Sequence, residues 1–183
     1  PSISHAFGWY FDGELMAVCT FGKPASPYLC RGICGEEHAN KVLELNRLCR
    51  LEQLKEPLSY FVSYCLRELS KCNLIIVSYS DTEMNHNGYI YQACNFLYTG
   101  ETKTRTDKYT EGNKHSRHYD KEQDNRLRKI RSPKHRYVFF AVKNKKTKKL
   151  LLESLNYSVE PYPKGTNKTY KLGEFLQPKV VHG

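Results

Sequence analysis

The chain has 183 residues, 39% of them hydrophobic, with 29 Lys and Arg against 19 Asp and Glu. That length and apolar content suit one domain with its own core and exclude a disordered chain. No apolar run reaches the roughly 18 residues of a membrane span, and the first residues show no basic-then-apolar leader.

In chain order, residues 5–11 read as a strand, Asp12-Gly13 as a two-residue turn, and residues 15–21 as the returning strand of a hairpin. Residues 22–35, rich in Gly and Pro, read as a loop. Residues 42–51 alternate at period two, and Arg47 interrupts the otherwise apolar face of Leu43, Leu45, Cys49 and Leu51. Pro57 then opens a helix whose Leu58, Phe61, Val62, Cys65, Leu66 and Leu69 share one buried face. Residues 74–79 form a short, almost wholly apolar run, as in a central strand covered on both faces. A short helix over 88–93 and a strand over 95–104 follow. Residues 105–133 are polar, basic and poor in aliphatics, and read as an inserted arm; residues 136–142 form the next strand. Residues 144–149 read as a basic turn or helix entry, residues 150–155 as a short helix, and the tail with Pro161, Pro163 and Pro178 as irregular. The expected architecture is a mixed α/β sheet, with right-handed strand–helix–strand crossovers.

The charge is uneven. Residues 101–150 hold 17 of the 29 basic residues against six acids, whereas the rest of the chain holds 12 against 13. A solvated face is one explanation. The concentration favours nucleic acid, because each Lys or Arg that neutralises a phosphate releases condensed counterions. The seven cysteines, an odd number without a secretory leader, read as reduced thiols of a cytosolic protein. Cys30 and Cys34, with His38 nearby, fall short of a structural zinc set.

Residues 88–100, Gly88-Tyr-Ile-Tyr-Gln-Ala-Cys-Asn-Phe96-Leu-Tyr-Thr-Gly100, resemble the signature of GNAT acyltransferases: a helix carrying a Tyr, then a small residue and an aromatic at the next strand. More narrowly, the chain resembles the phage Mom family of DNA adenine-modification proteins. The likeness rests on Leu45-Asn-Arg-Leu48, Pro57-Leu-Ser-Tyr-Phe61, Ser78-Tyr-Ser-Asp81, Asn85-His-Asn-Gly-Tyr-Ile-Tyr-Gln-Ala93 and Lys134-His-Arg-Tyr-Val138, and runs from about residue 4 to 143. It implies a GNAT-like mixed sheet flanked by helices, a single domain over 1–183 lacking the N-terminal part of that fold, and the basic arm over 105–133. It also implies an enzyme of the host cytoplasm that places a methylcarbamoyl or acyl-type group on adenine N6 in double-stranded DNA, protecting phage DNA from restriction. Acetyl-CoA is the implied donor, with iron as a further participant. One departure is that residues 50–59 contain no glycine where GNAT proteins carry a Gly-rich pyrophosphate loop.

On that resemblance Asp81, at the end of the central strand, is a general base or orienting carboxylate; capping of the following helix is the plainer reading. Arg47 would hold a phosphate or an acidic partner such as Asp81, or else form a structural ion pair. Ser59, with Arg50 and Tyr60 beside it, would meet the CoA pyrophosphate at a helix N-terminus, or simply cap it. His86 is a proton carrier or a loop residue. Tyr91 aligns with the GNAT Tyr that protonates the leaving thiolate; packing is the alternative for it and for Tyr89.

Trp9, Tyr10, Tyr79 and Tyr137 are candidates to stack on an extruded base, Trp9 being better explained as sheet core. Lys103, Arg105, Lys114, Arg117 and Arg126 would hold flanking phosphates. Arg128, Arg131, Lys134 and Arg136 would join them, whereas His115 and His118 read as polar contacts of the arm. Two other functions compete: a non-catalytic basic nucleic-acid-binding protein on the same fold, and an acyl-CoA-dependent N-acyltransferase acting on RNA or protein amines.

Overall fold

The computed structural model describes residues 2–110, 126–166 and 179–182. Its main sheet has six strands among these residues. Strands β1 (His5–Phe11) and β2 (Glu14–Gly22) form the expected hairpin. Asp12 and Gly13 both take positive φ, 47° and 81°, as a tight hairpin turn of matching twist requires.

The 22–35 segment is not wholly loop. Helix α1 (Pro27–Cys34) starts on a proline and buries Cys30, Ile33 and Cys34. Eight residues give too few turns for the periodicity to stand out from its Gly and Pro surroundings. Strand β3 (Val42–Arg50) follows, then α2 (Leu58–Leu69), with Pro57 just ahead of its first turn. Helix α2 leads into β4 (Leu74–Asp81), and β3 and β4 are parallel neighbours. Ile75, Ile76 and Val77 are fully buried, as a central strand covered on both faces demands.

The short helix α3 (Tyr89–Ala93) precedes β5 (Leu97–Glu101). The basic segment supplies β6 (Arg105–Lys108) and β7 (Leu127–Arg131), which pair with each other. Strand β8 (Lys134–Ala141) then returns to the main sheet between β4 and β5. Residues 145–153 are one helix, α4 (Lys145–Glu153), and the basic stretch is its entry. Asn144 begins it by accepting from the backbone amides of Lys146 and Thr147. The tail is not entirely irregular, because β9 (Val180–His182) pairs with β7.

Two apolar layers sandwich the sheet. On one face Cys19, Leu43, Leu45, Ile76 and Tyr137 pack with α2 and α3. On the other, Val42, Ile75, Val77, Val138 and Phe140 pack with α1 and Leu151 of α4. Among the described residues no helix is long and apolar enough to cross a membrane.

Candidate active site

The parallel seam between β3 and β4 is short. Pairing runs from Val42↔Ile75 to Glu44↔Val77 and stops there. Beyond it β3 follows β2 as far as Ala17↔Arg50, while β4 follows β8 as far as Asp81↔Lys134. The sheet therefore parts along this seam, and a cleft of about 800 Å³ occupies the parting. The Ser78 hydroxyl donates across it to the Leu45 carbonyl at 3.3 Å.

A bulge decides what faces the cleft. Thr20 opposes Arg47 but Phe21 opposes Leu45, so Asn46 is the extra residue in β3. One added residue shifts the alternation by one. Leu43, Leu45 and Leu48 then pack in the α2 layer, while Arg47 moves to the face of Val42 and Glu44. This corrects the expectation of a buried Arg47 on an apolar face: the side chain is exposed and lines the cleft.

Among the described residues, five cations stand on the cleft wall: Arg47 from β3, Lys103 and Arg105 from the hairpin approach, Arg131 from β7 and Lys134 from β8. Among the described residues that line it, Glu44 is the one carboxylate. Burial raises the pKa of Glu44, and the nearby Lys134 ammonium pulls it partly back. Tyr79 lines the cleft with its hydroxyl pKa raised by burial. Tyr28 of α1 stands at the cleft with 81% of its surface exposed. Strict periodicity hid Glu44 among ordinary alternating polar positions, and the loop reading of residues 22–35 hid Tyr28.

Asp81 does not line the cleft but grips two residues that do. Its carboxylate accepts from the Ser132 hydroxyl at 2.7 Å and lies 3.6 Å from the Lys134 ammonium. The same carboxylate accepts from the Glu83 amide at 3.0 Å, which starts the turn into residues 82–88. That turn passes His86, whose amide donates to the Asp81 carbonyl, and ends at Gly88 with φ 66°. Tyr91 lines the cleft from the α3 side, its hydroxyl bonded to Ser78. Burial raises its pKa, which keeps the phenol protonated.

The other sequence candidates fall elsewhere. Ser59, Arg50 and Tyr60 do not line the cleft: the Ser59 carbonyl accepts from the Cys94 thiol, Arg50 reaches the Leu54 carbonyl, and Tyr60 is 68% exposed. Tyr89 bonds the Gly165 carbonyl, and Trp9 packs on Phe61. Tyr10 is exposed on the outer hairpin. Arg126 and Arg128 are on the hairpin away from the cleft lining.

Two expected nucleic-acid contacts are structural. Tyr137 is fully buried and donates to the Asn87 carbonyl at 2.5 Å, so its ring has no face for a base. Arg136 donates to the Thr99 hydroxyl at 2.9 Å and carbonyl at 2.7 Å, and its guanidinium lies 3.4 Å from the centre of the Tyr157 ring. Lys114, Arg117, His115 and His118 lie outside the described residues.

An iron ion finds no ligand set here: among the described residues no three His, Cys, Asp or Glu converge. Cys34 is buried, donates weakly to the Leu151 carbonyl and has its thiol pushed up to about 11, whereas His38 pairs with Glu37. Acyl-CoA fits better in chemical terms, because the cleft offers cations for its phosphates and a volume of about 800 Å³.

An α/β sheet that parts at its parallel seam and carries a cationic cleft there is the class the fold and site define. The chain belongs to the Mom protein family, whose model matches residues 1–164. No curated protein matches the chain. Among solved structures, an N-acetyltransferase from Staphylococcus aureus Mu50 is similar at 12% identity and a TM-score of 0.47, over 74% of this chain and 67% of that one. A putative acetyltransferase from Salmonella typhimurium with its cofactor acetyl-CoA is similar at 8% and 0.48, over 76% and 65%. A Bacillus subtilis acetyltransferase in complex with CoA is similar at 15% and 0.43, over 74% and 75%.

Proposed function

We propose that this protein transfers an acyl-type group from an acyl-CoA donor to the N6 amine of adenine in double-stranded DNA, in the host cytoplasm, so that phage DNA resists restriction. The observation that carries the reading is the cationic cleft at the parting of β3 and β4 in a chain of the Mom family. A thioester bound there would supply the activated acyl carbon. Arg47 and Lys134 enter the cleft from its two walls and are suited to phosphate oxygens of the donor or the DNA. Lys103, Arg105 and Arg131 extend the same charge along the hairpin, where a duplex backbone would run. Adenine N6 is hidden in the duplex, so the base must leave the stack, and cations that hold the flanking phosphates favour that state. Asp81 acts as an orienting carboxylate, holding Lys134 and Ser132 in place. Tyr91, which lines the cleft and stays protonated, is suited to give a proton to the departing thiolate.

The absence of glycine from residues 50–59 favours a second reading, a nucleic-acid-binding protein of the same fold without acyl transfer. Mass spectrometry of nucleosides from the DNA of expressing cells separates the two. A modified adenine that disappears in the Tyr91→Phe, Arg47→Ala double variant supports transfer. Unmodified adenine in cells making the unaltered protein refutes it.

A further inference from the structure

We propose that Glu44 accepts the proton of the attacking nucleobase amine, and that Asp81 does not. The inference rests on the transfer reaction above and deepens it. The opposite assignment is natural from the sequence, where Asp81 closes a central strand and Glu44 is one polar residue of an alternating run. The structure reverses their standing. Asp81 has both carboxylate oxygens engaged, by Ser132, the Glu83 amide and Lys134. Glu44 lies in the last residue pair before the sheet parts, so its side chain enters at the apex of the cleft.

The surroundings of Glu44 suit an acceptor. Lys134 of β8 faces it, Arg47 follows on its own strand, Tyr79 comes from β4 and Tyr91 from α3. Among the described residues, Tyr28 of α1 and Arg105 and Arg131 of the hairpin also border the same hollow, with Lys103 beside them. Burial makes the carboxylate a stronger base than an exposed glutamate, and the Lys134 ammonium offsets part of that rise. An aromatic amine is a weak nucleophile and gains from losing its proton as the new bond forms. In the step, the amine nitrogen bonds to the thioester carbonyl carbon and the carbon–sulfur bond breaks. The amine proton passes to Glu44, and the sulfur keeps the bonding pair and takes a proton from Tyr91. Tyr91 recovers its proton from solvent, and Glu44 gives up to solvent the one it accepted.

Glu44→Gln and Asp81→Asn are compared with the unaltered protein by three measurements: modified adenine in cellular DNA, affinity for a duplex, and thermal unfolding against pH. Because the folded-state pKa of Glu44 is raised, its ionised form opposes folding, an effect absent in acid and developed as pH rises above the ordinary carboxylate range. Glu44→Gln is therefore expected to lose product at least 100-fold and to bind the duplex no more weakly. Its unfolding temperature should rise at pH 7.5, with no gain at pH 4. Asp81→Asn is expected to lose stability. A merely structural Glu44 would instead lose stability with its carboxylate, which overturns the proposal, as does product within threefold of the unaltered level. If the unaltered protein makes no modified adenine although all three proteins bind DNA, the transfer reading itself falls, and this assignment with it.

Discussion

Gly88→Ala should be among the most damaging single substitutions near the cleft, for two reasons that can be measured apart. Gly88 sits at φ 66°, and an L side chain there costs about 1–2 kcal/mol. A Cβ at this position would also lie 2.6 Å from the Tyr137 ring carbon Cε2 and 2.8 Å from Cζ. That ring cannot retreat: it is fully buried, bonded through its hydroxyl to the Asn87 carbonyl, and packed on Tyr91 and Tyr98. Overpacking of this kind costs about 1–3 kcal/mol. The two together make roughly 2–5 kcal/mol, or about 4–20 °C in the unfolding temperature of a chain this size. Gly13 is the internal control. Its φ is 81°, but nothing lies within 4 Å of a Cβ placed there. Gly13→Ala should therefore show the backbone cost alone, about 1–2 kcal/mol. Urea or thermal unfolding of both variants reads the difference. Equal losses would refute the claim that Tyr137 is an immovable wall behind residues 82–88, and with it the account of how Tyr91 and the turn after Asp81 are held.

Other consequences are simpler to test. Tyr137→Phe should cost about 1–1.5 kcal/mol through the lost hydroxyl bond and leave duplex affinity unchanged, since the ring contacts no solvent; denaturant unfolding and a binding isotherm check both. Arg136→Ala and Lys103→Ala should behave oppositely. The first removes two charge-assisted bonds to Thr99 and should cost about 1.5–3 kcal/mol, with the salt dependence of DNA binding unaltered. The second, at an exposed cleft residue, should leave stability alone and reduce the log–log salt slope by about 0.9. A flat salt dependence in the unaltered protein would mean that the cationic wall meets no phosphates.

Much of the frame is legible residue by residue because it is local. Asp12-Gly13 can satisfy two positive φ angles, so the hairpin follows from two letters. Residues 74–79 can only be a strand covered on both sides, and the apolar spacing of residues 58–69 can only be one buried helix face. The basic excess of residues 101–150 likewise foretells a cationic surface, because charge is carried by composition alone. What tertiary structure decided is which face each polar side chain occupies and how much water it keeps. The extra residue at Asn46 is a property of pairing with β2, and it moves Arg47 from an apolar face to the side of Glu44. Nothing local in Tyr137 or Arg136 marks them as buried or bonded, since their partners Asn87 and Thr99 are distant in sequence. Desolvation of Glu44 exists only because β3 and β4 pair for three residues and then part, an outcome of competition among four strands that no single segment encodes.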